Sequence, residues 1–450
     1  MAARFRYLAA VFILAVGLLS AASQAKDRRN VREPAAPKGV CARLDPSGGN
    51  DTARLQAAID HCVPSAAVYL GPGPFLSGPI EMKSGTTLWL AGGAILTAVA
   101  DPKAYQKSSG SCGHIDRSGD GCRPLISFTK TKGGGLYGYG TIDGGGGTLM
   151  AGTAETWWQL ARRAQSEGAK QNAPRLIQMD RAEDVSVHGI TLRNAANFHI
   201  AMSHVERATI WAVIIDTPAD ARNTDGIDPA ASEDVTIIHS FIRTGDDNIA
   251  IKAGTSGPAR HISILDNQFG WGHGMSIGSE LNSGVSDVLV RNLTLDGTTF
   301  GLRIKSDPSR GGLVERVNYE NICMRNNKWP IHFDTRYGPF AGNNLPLYQQ
   351  IVLRHVYGTD GTLVMRGFDQ QHPLDIAMED VRFSPRATWQ VENATVTAVN
   401  VFPSPPGAAA TPHYGASNPC VVAFRPFPEA TSSKNGGIER DPRAAAPIDR

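Results

Sequence analysis

Residues 185–215 read VSVHGITLRNAANFHIAMSHVERATIWAVII, and residues 235–242 read VTIIHSFI. In both stretches apolar residues alternate, pause and alternate again: Val185/Val187 then Ile190/Leu192, Ala208/Ile210 then Val213/Ile215, Val235/Ile237 then Ser240/Ile242. Further copies begin at Ile262, Val288, Val317, Ile351 and Ile376, so the series advances by 23, 27, 27, 26, 29, 34 and 25 residues. A period of two puts successive side chains on opposite faces, which is strand behaviour. The pause divides each copy into at least two short strands joined by a kink. A strand-only repeat of this length cannot bury its own apolar face, so neighbouring copies must stack into a solenoid. The LxxLxLxxN pattern of leucine-rich repeats is missing, and a propeller blade needs about 40 residues or more. The expected fold is all-β, a single-stranded right-handed parallel β-helix with each coil about 4.8 Å above the last.

A length of 450 residues would suggest three ordinary domains. A solenoid is quasi-one-dimensional, so one elongated domain over residues 39–427 is expected instead. Its open end needs a cap, and Asp51–Ile59 reads as a capping helix, with Asp51 or Thr52 as N-cap and Leu55, Ala58 and Ile59 as its apolar face. Residues 26–38 read as a linker, and residues 428–450 as a disordered tail. At the other extreme, Arg4 and Arg6 precede an apolar run from Tyr7 to Leu19 and the small residues up to Ala25. That order marks residues 1–25 as a secretory signal. The run is short for a membrane span, although an uncleaved anchor is the alternative.

Export agrees with the cysteines. Cys41, Cys62, Cys112, Cys122, Cys323 and Cys420 form an even set, suited to three disulfides in an oxidising compartment. Cys112 and Cys122 close a short loop, leaving Cys41–Cys62 and Cys323–Cys420, although six cysteines allow about 15 pairings. No CxxC pair supports zinc. Lys+Arg number 44 and Asp+Glu 42, a net charge of +2, so no general field attracts nucleic acid or acidic membranes. The 48 glycines follow no collagen period and read as turns, including the GxG runs of residues 133–147.

Four polar clusters interrupt the apolar pattern: Asn223-Thr224-Asp225, Gly245-Asp246-Asp247, Gly272-His273-Gly274 and Arg303-Ile304-Lys305. The steps Asp225 to Asp247, Asp247 to His273 and His273 to Arg303 are 22, 26 and 30 residues, each close to one repeat. Asp225, Asp247 and His273 are therefore expected in one column, with Asp246 beside Asp247 and with Arg303 and Lys305 extending the column by a coil. Singly, each cluster has a plainer reading: a turn, a solvated loop, half a cation site, a surface histidine or an exposed basic strand. Their shared register favours chemistry. Carboxylates one coil apart cannot all ionise freely, and unequal protonation is what acid–base cleavage of a glycosidic bond needs.

In order, these clusters resemble the NTD, GDD, GHG and RIK motifs of the polygalacturonase family of glycoside hydrolases. Gly78-Pro79-Ile80, Gly140–Gly144 with Trp157-Trp158, and the stretch from Arg310 to Ile322 add to a resemblance running from about Asp45 to Asp380. It implies a pectin-lyase-like solenoid that hydrolyses α-1,4-linked galacturonic acid in pectin. It implies Asp246 as general acid, Asp225 and Asp247 as the pair that positions and activates water, and His273 as keeper of the acid's protonation. Asn223, Arg303, Lys305 and, by spacing, Tyr337 are implied as substrate-binding residues. Arg303 suits bidentate binding of a uronate carboxylate and Lys305 adds a point charge. One coil step lies nearer the about 5–5.5 Å of retaining carboxylates than the about 6.5–9.5 Å of inverting ones, whereas the family implies inversion.

Three other classes share the solenoid shape. A pectate lyase would hold Ca²⁺ on Asp225, Asp246 and Asp247. A related hydrolase would act on rhamnogalacturonan or xylogalacturonan, and an adhesive solenoid would bind carbohydrate without cutting it. The expectation is a secreted enzyme, periplasmic or extracellular, monomeric, free of membrane after signal cleavage and needing no metal or cofactor. Its partner is an acidic polysaccharide, not nucleic acid. Residues 105–123 and 154–172 are long enough to wall the cleft, and endo or exo action depends on where they stand.

Overall fold

The computed structural model describes residues 25–338, 341–408, 420 and 423–428. The charged and apolar parts of the expected signal, and the expected tail beyond Pro428, lie outside the described residues. The chain folds as the right-handed parallel β-helix that its repeat implies. One sheet has eleven strands, numbered here in chain order: β1 (Ile80–Glu81), β2 (Ile126–Thr129), β3 (Ile177–Asp180), β4 (Ile200–Ser203), β5 (Ile227–Ala230), β6 (Ile249–Ile251), β7 (Met275–Gly278), β8 (Phe300–Lys305), β9 (Trp329–Asp334), β10 (Thr362–Arg366) and β11 (Thr388–Glu392). Each pairs in parallel with the next; the second large sheet has twenty strands.

The apolar repeat sets the register. Val235, Ile262, Val288, Val317, Ile351 and Ile376 are successive partners, as their spacing requires. In the eleven-stranded sheet Ile227, Ile249, Met275, Leu302 and Ile331 stack in the same way, each 0% exposed. A slip of one residue would turn this stack outward, so burial holds the register. The pause in each repeat is a single residue in the left-handed region, as at His239, Asp266, Asn292 and Asn321, with φ between 54° and 57°. Asn and Asp tolerate that conformation better than branched residues do, and it bends the chain without breaking the ladder.

Helix α1 (Thr52–Asp60) caps the first coils and buries Leu55 and Ile59. Asp51 occupies its N-cap position, but its side chain makes no capping hydrogen bond and ion-pairs with Arg54 instead. Helix α2 (Trp157–Ser166) opens on a capping box between Thr156 and Gln159. It stands with the antiparallel pair Ile115–Asp116 and Lys170–Gln171 outside the solenoid. The disulfides are Cys41–Cys62, Cys112–Cys122 and Cys323–Cys420. Residues 26–38 have no regular structure yet lie on the solenoid: Arg29 donates to the carbonyls of Ala208 and Asp234 and to Thr209, and Glu33 Oε1 lies 2.8 Å from His188 Nε2.

Ile249→Ala tests the stack, because it removes a fully buried rung between Ile227 and Met275. A loss of about 2–5 kcal/mol in denaturant unfolding is expected; a loss below about 0.5 kcal/mol, the scale of a surface change, would contradict the packing.

Candidate active site

The first three polar clusters occupy the turns that feed β5, β6 and β7, and Arg303-Ile304-Lys305 lies within β8. Counting two residues back from the paired Ile227, Ile249 and Met275 reaches Asp225, Asp247 and His273, which therefore share one register position on successive coils. The turns are tightly built. Gly272 has φ +139°, and a Cβ there would sit 2.5 Å from Asn248 Oδ1. That oxygen accepts the Gly274 N–H at 2.8 Å, so glycine is what lets Asn248 join the turns of β6 and β7.

Asp246 and His273 face one another, with Nδ1 3.0 Å from Oδ1, and the His273 N–H donates to the Asp246 carbonyl at 2.8 Å. Asn223 reaches Asp246 Oδ2 at 3.5 Å and is itself met by Gln171 Nε2 at 3.2 Å. Gln171 belongs to the antiparallel pair, so the expected wall stands directly beside Asp246. Asp247, 1% exposed, accepts from Lys305 Nζ at 2.6 Å and from Ser276 Oγ at 2.7 Å, with Arg303 3.5 Å away. The Tyr337 ring lies 5.4 Å from Arg303 Cζ and 5.3 Å from Lys305 Nζ, exposed at the rim.

One placement differs from expectation. Arg303 and Lys305 pair with Ser276 and Gly278, not with His273. They stand in neighbouring columns, because the coil between β7 and β8 is 27 residues long (Met275 to Leu302) rather than the 30 counted from His273 to Arg303. The residue above His273 is Phe300, their ring centroids 6.1 Å apart, and the Arg303 guanidinium lies 3.7 Å from the Phe300 centroid. All eight residues singled out in the sequence nevertheless come to one groove.

The sequence reading missed two charged residues. Asp228, 2% exposed, binds Lys252 Nζ at 2.6 Å, and the same ammonium lies 3.4 Å from Asp225 Oδ2. Asp225 Oδ1 and Asp228 Oδ1 are buried without hydrogen-bond partners. Burial, with Asp228 alongside, pushes Asp225 well above the carboxylate range against the pull of Lys252. Burial likewise pushes Asp228 up to about 6, with Lys252 opposing. Burial alone would raise Asp246 too, but the His273 hydrogen bond and charge, with Lys305 and Lys252 behind them, hold it well below its ordinary value. For Lys252, burial would lower the pKa, and Asp228 and Asp225 outweigh it and raise it well above the usual value. The signal for this pair was an Asp and a Lys 24 residues apart, two more than the 22-residue coil there, inside apolar neighbours.

Asp246, Asp247 and His273 offer ligand atoms within 4.8 Å of one another, a possible cation cluster. Both Asp247 oxygens are already engaged by Lys305, Ser276 and Arg303, and three buried or half-buried cations surround the group. A divalent ion would have to displace an ammonium to use Asp247, so the donor set fits a metal poorly.

Acids of unequal protonation, lining an open groove with buried cations, define an acid–base enzyme for an anionic polymer. The chain belongs to glycosyl hydrolases family 28, whose model matches residues 65–400. It is 43% identical over 387 residues to an endo-polygalacturonase of Pectobacterium carotovorum subsp. carotovorum, covering 85% of this chain and 96% of that one. A Ralstonia solanacearum polygalacturonase is 37% identical over 400 residues, 77% of this chain and 75% of its own. The solved polygalacturonase from Erwinia carotovora ssp. carotovora superposes with a TM-score of 0.80 at 42% identity, covering 82% of this chain and all of that one.

Asp228 supplies a direct check on these electrostatics. Carboxyl NMR of the free protein is expected to show an aspartate titrating near pH 6, protonated below and ionised above, and absent from Asp228→Asn. If every aspartate titrates near 4, the burial argument fails.

Proposed function

We propose that the protein is an exported, monomeric polygalacturonase that hydrolyses α-1,4 bonds inside unesterified galacturonan. One observation carries the substrate class: Arg303 and Lys305 are buried together beside the acids, and Arg303 Nε has no hydrogen-bond partner. A buried guanidinium with an unused donor favours a ligand carboxylate, because the donor's desolvation is then compensated. Galacturonate carries that carboxylate on each unesterified ring.

Asp246 is the general acid in this reading. Its contact with His273 orients the carboxyl, which gives its proton to the glycosidic oxygen as that bond breaks. Asp225 and Asp247 hold the water, whose oxygen attacks the anomeric carbon while a carboxylate takes its proton. Asn223 and Tyr337 contact the sugar. Lys252 pulls Asp225 toward the ionised form a base needs, against its burial, and the water's attack from the opposite face gives inversion. Protons balance, since the one taken from water replaces the one given to the leaving group.

Endo action is supported by the groove's length. A cavity of about 960 Å³ lies on β1–β3, lined among others by Lys107, Arg123, Ser127 and Gln178. Ser127 and Gln178 share a register column with Asp228, so the floor continues well past the acids. Three disulfides favour an oxidising compartment, and no helix among the described residues is long and apolar enough to cross a membrane.

Viscosity of polygalacturonate is expected to collapse before many reducing ends appear; proportional change in both would mean exo action. Product anomers followed by NMR decide inversion. Asp246→Asn is expected to lose about 10²–10⁴-fold in kcat, and full retention would remove Asp246 from the acid's role. Lys252→Met takes away the charge that lowers Asp225 and Asp228. Both then stay protonated to higher pH, so the acidic limb of the kcat/KM profile moves up; an unmoved limb would separate Lys252 from the base.

A further inference from the structure

Past Arg303 the catalytic column turns aromatic. Phe300 stands over His273, and Trp329 stacks on Phe300 with centroids 4.8 Å apart and planes 17° from parallel. The stack stops there, because the register position above Trp329 is Gly361. Gly361 has φ +139°, and a Cβ would lie 2.4 Å from Pro330 Cδ, so the position excludes a side chain. Lys328 places its ammonium 4.1 Å from the Trp329 centroid and makes no ion pair among the described residues. His332, the register partner of Arg303, lies 5.0 Å from Phe300 and 6.0 Å from Trp329, and its Nδ1 is buried without a partner.

These groups complement a pyranose uronate. Its C–H face suits the indole face that the flexible Lys328 ammonium covers and can leave, its carboxylate suits that ammonium, and a ring hydroxyl suits an orphaned imidazole nitrogen. We propose that Trp329, Lys328 and His332 form a separate sugar subsite, one coil beyond Arg303 and Lys305, which takes an unesterified galacturonate unit away from the cleavage point. This rests on the galacturonan reading above and adds to it a preference for chains that extend over β9. The contacts made there fix how the polymer is registered across the acids. They therefore set where short oligomers are cut.

The test uses the full protein with oligogalacturonates of three to eight units and with polygalacturonate. Trp329→Ala is expected to lower kcat/KM about tenfold on the longest oligomers, with the loss shrinking as the oligomer shortens and the cut position shifting. Trp329→Phe should restore much of the loss. Lys328→Met should weaken cleavage of unesterified chains and spare methyl-esterified ones. In Asp246→Asn, oligogalacturonate should quench tryptophan emission, and the quench should disappear in Asp246→Asn/Trp329→Phe. Equal losses at every length, or none, would overturn the subsite while leaving the activity standing. A wild-type protein that cleaves no galacturonan would overturn both.

Discussion

Hydrogen bonding between successive coils, about 4.8 Å apart, is the constraint on which the site depends. Asp225, Asp247 and His273 are far apart in sequence and would meet only by an improbable loop closure in most folds. Here each coil returns the chain to the same place, and the inward stack of Ile227, Ile249 and Met275 prevents a slip. Asp225, Asp247 and His273 sit two positions ahead of those stacked residues, in turns rather than in strands. They inherit the register of the core while keeping freedom to leave the sheet's own alternation. That is why three aspartates can crowd together without disturbing the ladder beneath them.

Crowding acids is costly, and the groove resolves it by giving each a different environment. Asp247 is engaged on both oxygens by Lys305 and Ser276, with Arg303 nearby. Asp246 is matched to the one partly exposed partner, His273. Asp225 shares Lys252 with Asp228, and one ammonium cannot fully compensate two buried carboxylates. The result is a gradient: ionisation is favoured at Asp246 and resisted at Asp225 and Asp228. The lowering of Asp246 depends on its neighbours, His273 first and Lys305 and Lys252 behind it. An anion entering beside Arg303 and Lys305 would weaken that positive field and raise the Asp246 pKa.

Much of this was legible in the sequence. Period-two alternation with a pause gave the coil, and the 22- and 26-residue steps gave the column of Asp225, Asp247 and His273. Counting residues failed where strands lengthen. Strand β8 is six residues long where β6 has three, so Arg303 lies farther along its strand than its distance from His273 suggests. Phe300 and Trp329 escaped notice because an aromatic residue in an apolar pattern reads as core. Asp228 and Lys252 escaped because isolated charges between isoleucines gave no motif; only their pairing across one coil reveals them. The segment before Gly39 was read as a linker on composition, since its docking depends on outward apolar residues of distant strands.

That docking closes the physical account. In a solenoid stability is largely local, each coil answering to its neighbours, so strain in a few coils cannot be spread over the whole molecule. The coils that begin at β5, β6 and β7 bear the buried acids and imidazole. Val31 packs against their outward apolar residues Ile238, Leu265 and Leu289, one from each coil. Arg29 ties the same segment to the carbonyls of Ala208 and Asp234, and Ser263 Oγ donates to Asp27 at 3.2 Å. The chain thus adds apolar burial and side-chain-to-backbone hydrogen bonds on the back of the coils whose front holds uncompensated carboxylates. The strap does not reach the last coils. A local cost is met by a local contact, laid across the solenoid by the first residues of the described chain.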